Sequence, residues 1–183
     1  YRKPRFYTYS EKEWQSYIQE EHPVLANKYD LLCVAADPAD PRHAYIGTWG
    51  FGVIECLLND TLYLFDASNS SLQPSILDDV SVQIGGMAFD NNRNLWLTNS
   101  SANDILSVRK ADGDWKSFNF GSAGTGYYAG HLVIDKSGQK WIMTRDLSLL
   151  VYNDNNTIDN TADDQYKRLT SAAGNGALSG GAV

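Results

Sequence analysis

The residues able to do chemistry are few and scattered along the chain. His22, His43 and His131 are its three imidazoles, and none has a second His or a Cys at metal-ligand spacing, so neither a zinc site nor a catalytic triad is expected. No GxSxG nucleophile elbow occurs. GTWGFG at 47–52 and GSAGTG at 121–126 have the composition of phosphate loops, but neither opens a helix or carries a Lys-Ser or Lys-Thr pair, so both are expected to be turns. The loop NDNNTIDNTADDQ holds eight Asn or Asp between 153 and 164. No EF-hand frame there places Gly sixth and Glu twelfth, so it reads as a solvated turn, with calcium as the rival. Neither a metal nor a cofactor is expected.

What the chain does have is a repeat. The stretch GMAFDNNRNLWLTNSSANDILSVRKADGDWKSF at 86–118 reads as four short strands separated by turn chemistry, with Asp112-Gly113 the strongest hairpin signal. LVIDKSGQKWIMT repeats MAFDNNRNLWLTN 45 residues later, with Asp135 and Asp90 each six residues before Trp141 and Trp96. Upstream, CVAADPADPRHAYIGTW gives Asp37 and Tyr45 the same roles, with two extra residues in the turn. EWQSY and DWKSF match in the same way, which favours a strand over a short helix at 11–20.

Four strands per unit at a period of about 45 to 53 residues is the signature of a β-propeller. The expected fold is therefore all-β, a β-propeller segment of about three four-stranded blades (31–65, 86–118 and 131–169) with flanking partial blades. Residues 1–21 would be the outer strand of a preceding blade and 178–183 the start of the next. Propellers close with about four to eight blades, so the chain is expected to be a piece of a longer protein. Its open ends would leave apolar blade faces bare, and an isolated piece should self-associate.

Propeller geometry brings the loops between second and third strands, and those from fourth strand to next first, to one face. That face would present Trp49 and Phe51, then Asn99, Asn103 and Asp104, then Arg145 and Asp146, with His131 near the start of an inner strand. Aromatic platforms mixed with amides and an Arg suit a glycan or a peptide carboxylate. The alternative is that Trp49 and Phe51 pack between blades and the others are hydrated turns. Catalysis is not expected: DKSGQKW has the Asp, Gly and Trp of a sialidase-type aspartate box at a spacing one residue too long, and no pair of carboxylates is singled out for a glycosidase.

A net charge of -7 disfavours nucleic acid and anionic lipid as partners. No apolar run is long enough to span a membrane. Cys33 and Cys56 fall on first and third strands of one blade, more than about 9 Å apart, so both should be free and largely buried thiols.

The D-x(n)-W-[IL]-x-T units at 90–98 and 135–144 resemble the two-component-regulator propeller repeat, found in periplasmic sensor halves of hybrid two-component systems. DPADPRHAYIGTWGFGVIE, NSSLQ followed by IGGMAFDNNRNLWLTNS, and TIDNTADDQYKRL are together similar to the PorZ-like surface components of the type IX secretion system of Gram-negative bacteria, over residues 30–169. That resemblance implies a non-enzymatic part of a seven-bladed propeller in a multidomain protein on the outer-membrane surface. Its implied partners are other proteins or the C-terminal sorting signals of secreted cargo, with glycan or lipopolysaccharide as further ligands. The first resemblance implies instead a periplasmic propeller recognising glycans. Thr98-Asn99 replaces the usual Gly-Thr and Tyr45 the usual Trp, and no functional residue of either family carries over.

Overall fold

The structure is a computed structural model, described here for residues 3–10, 12–57 and 61–172. The described residues are all-β, with strands β1 (Arg5–Ser10), β2 (Glu13–Ile18), β3 (Leu31–Ala36), β4 (His43–Gly50), β5 (Val53–Leu57), β6 (Thr61–Phe65) and β7 (Val82–Phe89). They continue with β8 (Leu95–Ser100), β9 (Leu106–Arg109), β10 (Trp115–Phe118), β11 (Ala129–Ile134), β12 (Lys140–Thr144), β13 (Ser148–Asn153) and β14 (Gln165–Leu169). The expected strand at 11–20 is β2, and β1 pairs with it as a hairpin, so 1–21 holds two strands where one was expected. The expected start of a further blade at 178–183 lies outside the described residues. No helix among the described residues is long and apolar enough to cross a membrane.

Each strand is joined to the next by an antiparallel pairing within β3–β6, within β7–β10 and within β11–β14. The first two of these meanders are not separate sheets, as the repeat led one to expect. Trp49 pairs with Gln83 and Gly50 with Val82, fusing them into one open antiparallel path, β10-β9-β8-β7-β4-β5-β6, with β3 attached to β4. β11–β14 form a sheet of their own. Cys33 on β3, half-buried, and Cys56 on β5, buried, are separated by β4 and form no disulfide.

The core lies between successive meanders rather than within them. One cluster joins Trp96, Leu106, Val108 and Phe118 to Leu132, Ile142, Leu150 and Tyr152. A second joins Tyr45 and Val53 to Ile84, Leu95 and Leu97. A third seats Tyr17 of β2 on Ile46, Ile54 and Cys56. Packing this tight requires the inner strands to approach closely. A Cβ on Gly86 would lie 2.7 Å from the Leu132 nitrogen and 2.9 Å from the Gly130 carbonyl oxygen, and one on Gly85 would overlap the Ala129 carbonyl. Thr98 Oγ1 donates to the Gly130 carbonyl at 2.8 Å across the same gap.

The repeated Asp and Trp form a clamp on the turn between a unit's first and second strands. Asp90 Oδ1 accepts the Asn92 and Asn94 amides at 2.9 Å each, and its Oδ2 takes the Trp96 indole N–H at 3.0 Å. Asp135 repeats this with Ser137, Gln139 and the Trp141 indole, at 2.8, 3.0 and 3.0 Å. The Trp141 bond is the main reason the Asp135 carboxyl is held below its ordinary pKa. In the first unit, Tyr45 does not take the Trp role assigned to it. Its hydroxyl donates to Glu55 Oε1 at 2.5 Å, and Asp37 is left to other partners.

Trp96 also receives a buried cation from the next unit. Lys140 Nζ lies 4.0 Å from its ring centroid and 2.5 Å from Asp154 Oδ1, with both charged side chains 2% exposed. Such a pair is stabilising relative to either ion alone rather than relative to an apolar replacement. Asp154→Asn, which strands the ammonium, should therefore cost about 3 kcal/mol or more in denaturant unfolding, and Lys140→Met with Asp154→Leu should recover much of it. Gly86→Ala should cost about 2 kcal/mol, whereas Gly130→Ala, whose Cβ meets nothing closer than 3.6 Å, should shift the thermal midpoint little.

Candidate functional site

The eight residues proposed for a binding face lie along one end of the strands, linked by a chain of backbone bonds. Gly50 pairs with Val82 and Gln83 with Ser100. The Ser101 amide donates to the Tyr127 carbonyl at 2.8 Å, and the Arg145 amide to the Tyr128 carbonyl at 3.0 Å.

Three of the eight are occupied in holding loops. Buried Asn99 receives the Gln73 amide on its Oδ1 at 2.6 Å and donates its side-chain amide to the Gln73 carbonyl at 3.0 Å. Asp104 accepts from Gln73, Ser117 and Asn119 at 2.8, 2.6 and 2.7 Å. Asp146 accepts the hydroxyls of Thr144 and Ser148 at 2.5 and 2.9 Å and a bond from the Arg168 guanidinium. Burial opposes, but these donors hold the Asp146 carboxyl below its ordinary pKa. Of the other five, Trp49 and Phe51 are half-buried, as Asp104 is, and Asn103, His131 and Arg145 are exposed, as Asp146 is. Arg145 lies over the Tyr128 ring at 5.4 Å.

Phe51 lines a recess of about 320 Å³ together with Lys28, Leu64, Asp66, Val80 and Val82. Lys28 Nζ stands 4.9 Å from the Phe51 centroid. Lys28, Asp66 and Val80 were not among the sequence candidates. They arrive from the segment before β3 and from the two ends of the β6–β7 crossing, and no periodicity marks them.

The opposite strand ends are closed by charge. Arg93 Nη2 meets Asp37 Oδ2 at 2.6 Å, and the Ala39 amide donates to Asp37 Oδ1 at 2.9 Å. His43 stands between two carboxylates, Nδ1 3.3 Å from Asp37 and Nε2 2.8 Å from Glu55. Arg109 approaches Glu55 at 3.5 Å and lies over the Tyr45 and Phe65 rings at 5.6 and 5.2 Å. The cavity enclosed here is only about 90 Å³. Burial, then the Glu55 bond, pushes the Tyr45 phenol far above its ordinary pKa. Apart from the buried Arg109 Nε, which has no hydrogen-bond partner, these groups pair with one another and bridge the first two meanders, since Arg93 follows β7 and Arg109 ends β9, so the cluster reads as a latch.

Other chemistry is similarly absorbed. Burial pushes the Cys33 thiol up to about 11, which keeps it protonated and a poor nucleophile at neutral pH. In the 153–164 loop, Asp154 faces Lys140, Asp164 takes the Tyr152 hydroxyl at 2.8 Å, and Asp163 takes that of Thr157 at 3.0 Å. Among the described residues no cluster of three metal-ligating side chains occurs.

No protein-family model and no curated protein matches the chain. Solved structures do. PorZ, an essential bacterial surface component of the type-IX secretion system of Porphyromonas gingivalis, covers 84% of the chain at a TM-score of 0.71 and 22% identity. The extracellular domain of BT4673, a one component system of B. thetaiotaomicron, covers 75% at a TM-score of 0.53 and 14% identity. The chain spans 22% of the length of the first and 17% of the second. At these identities the likeness is one of fold.

The latch has a pH signature. Arg93 is the main cause holding the Asp37 carboxyl down to about 2, against the desolvation of a nearly buried side chain. A depressed carboxyl adds stability above its unfolded value, about pH 4, and loses it as the pH falls toward 2. With half-exposed Arg93 screened by solvent, the contribution is about 1 kcal/mol. Thermal melts between pH 2 and 5 should show Asp37→Asn with a flatter profile than the parent, the two converging at the acid end.

Proposed function

We propose that the chain is part of a β-propeller, with 31–65, 86–118 and 131–169 as blades and 1–21 the outer part of the blade before them. In this reading it is a non-enzymatic docking segment of a PorZ-like cell-surface component, engaging protein partners or the sorting signals of secreted cargo on the outer membrane. The observation that carries it is the contrast between the two strand ends. One is sealed by the Asp37, Glu55, Arg93 and Arg109 network, while the other offers a recess lined by Phe51, Lys28 and Val80 and, apart from it, Arg145 over the Tyr128 ring. The likeness in fold to PorZ over 84% of the chain supports the location. Leu32 and Val34 of β3, 56% and 68% exposed, are the apolar face through which an isolated piece would self-associate.

A second reading is a periplasmic propeller that recognises glycans. It is favoured by the exposed pairing of Arg145 with Tyr128, a cation on a ring suited to a sugar face and an acidic substituent.

Photo-crosslinking separates the two. A benzophenone residue replacing Phe51 in the parent protein, expressed in its own host, should yield a defined envelope-protein adduct, whereas one replacing Arg93 at the sealed end should not. Equal adducts from both positions would remove the contrast between the strand ends on which docking rests, and none from Phe51 alongside retention on an acidic-glycan array that Arg145→Ala abolishes would replace docking by glycan recognition.

A further inference from the structure

The recess at Phe51 holds recognition chemistry that its neighbours leave unused. Among the described residues no carboxylate pairs with Lys28, whose ammonium rests on the Phe51 ring. Asp66, the carboxylate in the lining, turns one oxygen inward: its Oδ1 accepts the Ser68 amide at 2.8 Å and the Ser68 hydroxyl at 2.6 Å. Its Oδ2 has no donor among the described residues. Ser68 is the other polar residue of the lining, and Gly50, Leu64, Ala67, Val80 and Val82 supply the rest of the wall.

Val80 of this lining and Leu77 of the same loop stand 79% and 63% exposed, and they are held there. Asp78 Oδ1 accepts the Val80 and Ser81 amides at 3.0 and 2.9 Å, and the Ser75 amide donates to the Ser81 carbonyl at 2.8 Å. The Ile76 amide pins the loop to the Ser101 carbonyl at 2.9 Å. A loop with its polar groups satisfied internally, and its Leu and Val in water, presents apolar surface by construction rather than by slack.

We propose that this recess docks the C-terminal residue of an extended peptide whose last side chain is apolar. The terminal carboxylate sits on Lys28, the N–H of the same residue on Asp66 Oδ2, and the side chain against Leu64, Val80 and Val82. A cation and an unfilled acceptor on one lining match a carboxylate and an N–H borne by one residue. A fatty acid supplies no N–H, and an acidic side chain has no apolar group on the atom that carries its carboxylate. The proposal rests on the docking reading above and names the chemistry of what is docked.

The test is fluorescence polarisation on the 183-residue chain with a fluorescein-labelled Gly-Ser-Gly-Ser-Leu-Val peptide, as free acid and as C-terminal amide. The acid should bind about tenfold more tightly than the amide, the value of one charge-assisted hydrogen bond. Lys28→Met should erase that preference while leaving the circular dichroism spectrum unchanged, and Val80→Ser should weaken both peptides. Equal binding of acid and amide, a preference that survives Lys28→Met, displacement by decanoate, or no binding at millimolar peptide each overturns the assignment. If Phe51 still cross-links an envelope protein in that event, docking stands and only the C-terminal residue as its occupant falls.

Discussion

The arrangement depends on how closely the inner strands approach. β7 and β11 run past each other with no side chain between them at Gly85 and Gly86, and Gly47 likewise faces Cys33 and Ile84. At that separation the walls of one meander meet those of the next, so each apolar cluster is shared by two units. Trp96 is fully buried only because Lys140, Phe118 and Tyr152 arrive from both sides of that junction. Tight packing converts the absence of a methyl group into stability, since interiors at crystal-like density transmit any misfit.

Given that approach, the junctions are closed by different chemistry. Between the second and third meanders a buried Lys140–Asp154 pair lies against an indole face, with both charges removed from water. Between the first and second, the ions stay at the rim, with Arg93 half-exposed. The difference follows from one substitution in the repeat. Where Trp96 and Trp141 occupy their own unit's Asp, Tyr45 reaches across to Glu55, and Asp37 becomes available to Arg93 of the neighbouring turn. Degeneracy in the repeat thus creates an interaction between repeats.

The consequence for function is a division between the two ends of the strands. At the latch end, carboxylates, guanidiniums and the imidazole neutralise one another around a small cavity. At the other, Asn99, Asp104 and Asp146 spend their hydrogen bonds on loop geometry, which leaves rings and cations to face solvent. Binding surfaces commonly combine an apolar floor with few, well-placed charges, and the recess at Phe51 has that composition.

Much of the secondary structure was legible because strand alternation and turn residues are local. Trp115 to Phe118 and Leu95 to Ser100 fall where the pattern puts them, and the six-residue Asp-to-Trp spacing encodes the clamp within one hairpin. The β4–β7 pairing was not legible, since two residue pairs of backbone bonding carry no side-chain signal and depend on Gly50 at a positive φ of 143°. Nor was the split of the binding-face residues into loop-holders and exposed groups. Asn99 and Gln73 are 26 residues apart, and Asp37 and Arg93 are 56. Sequence alone therefore determined the periodicity, the strands and the turn clamps, whose partners are neighbours along the chain. Tertiary structure decided which polar groups are satisfied and which remain free to bind, because that depends on partners brought together only when the units pack.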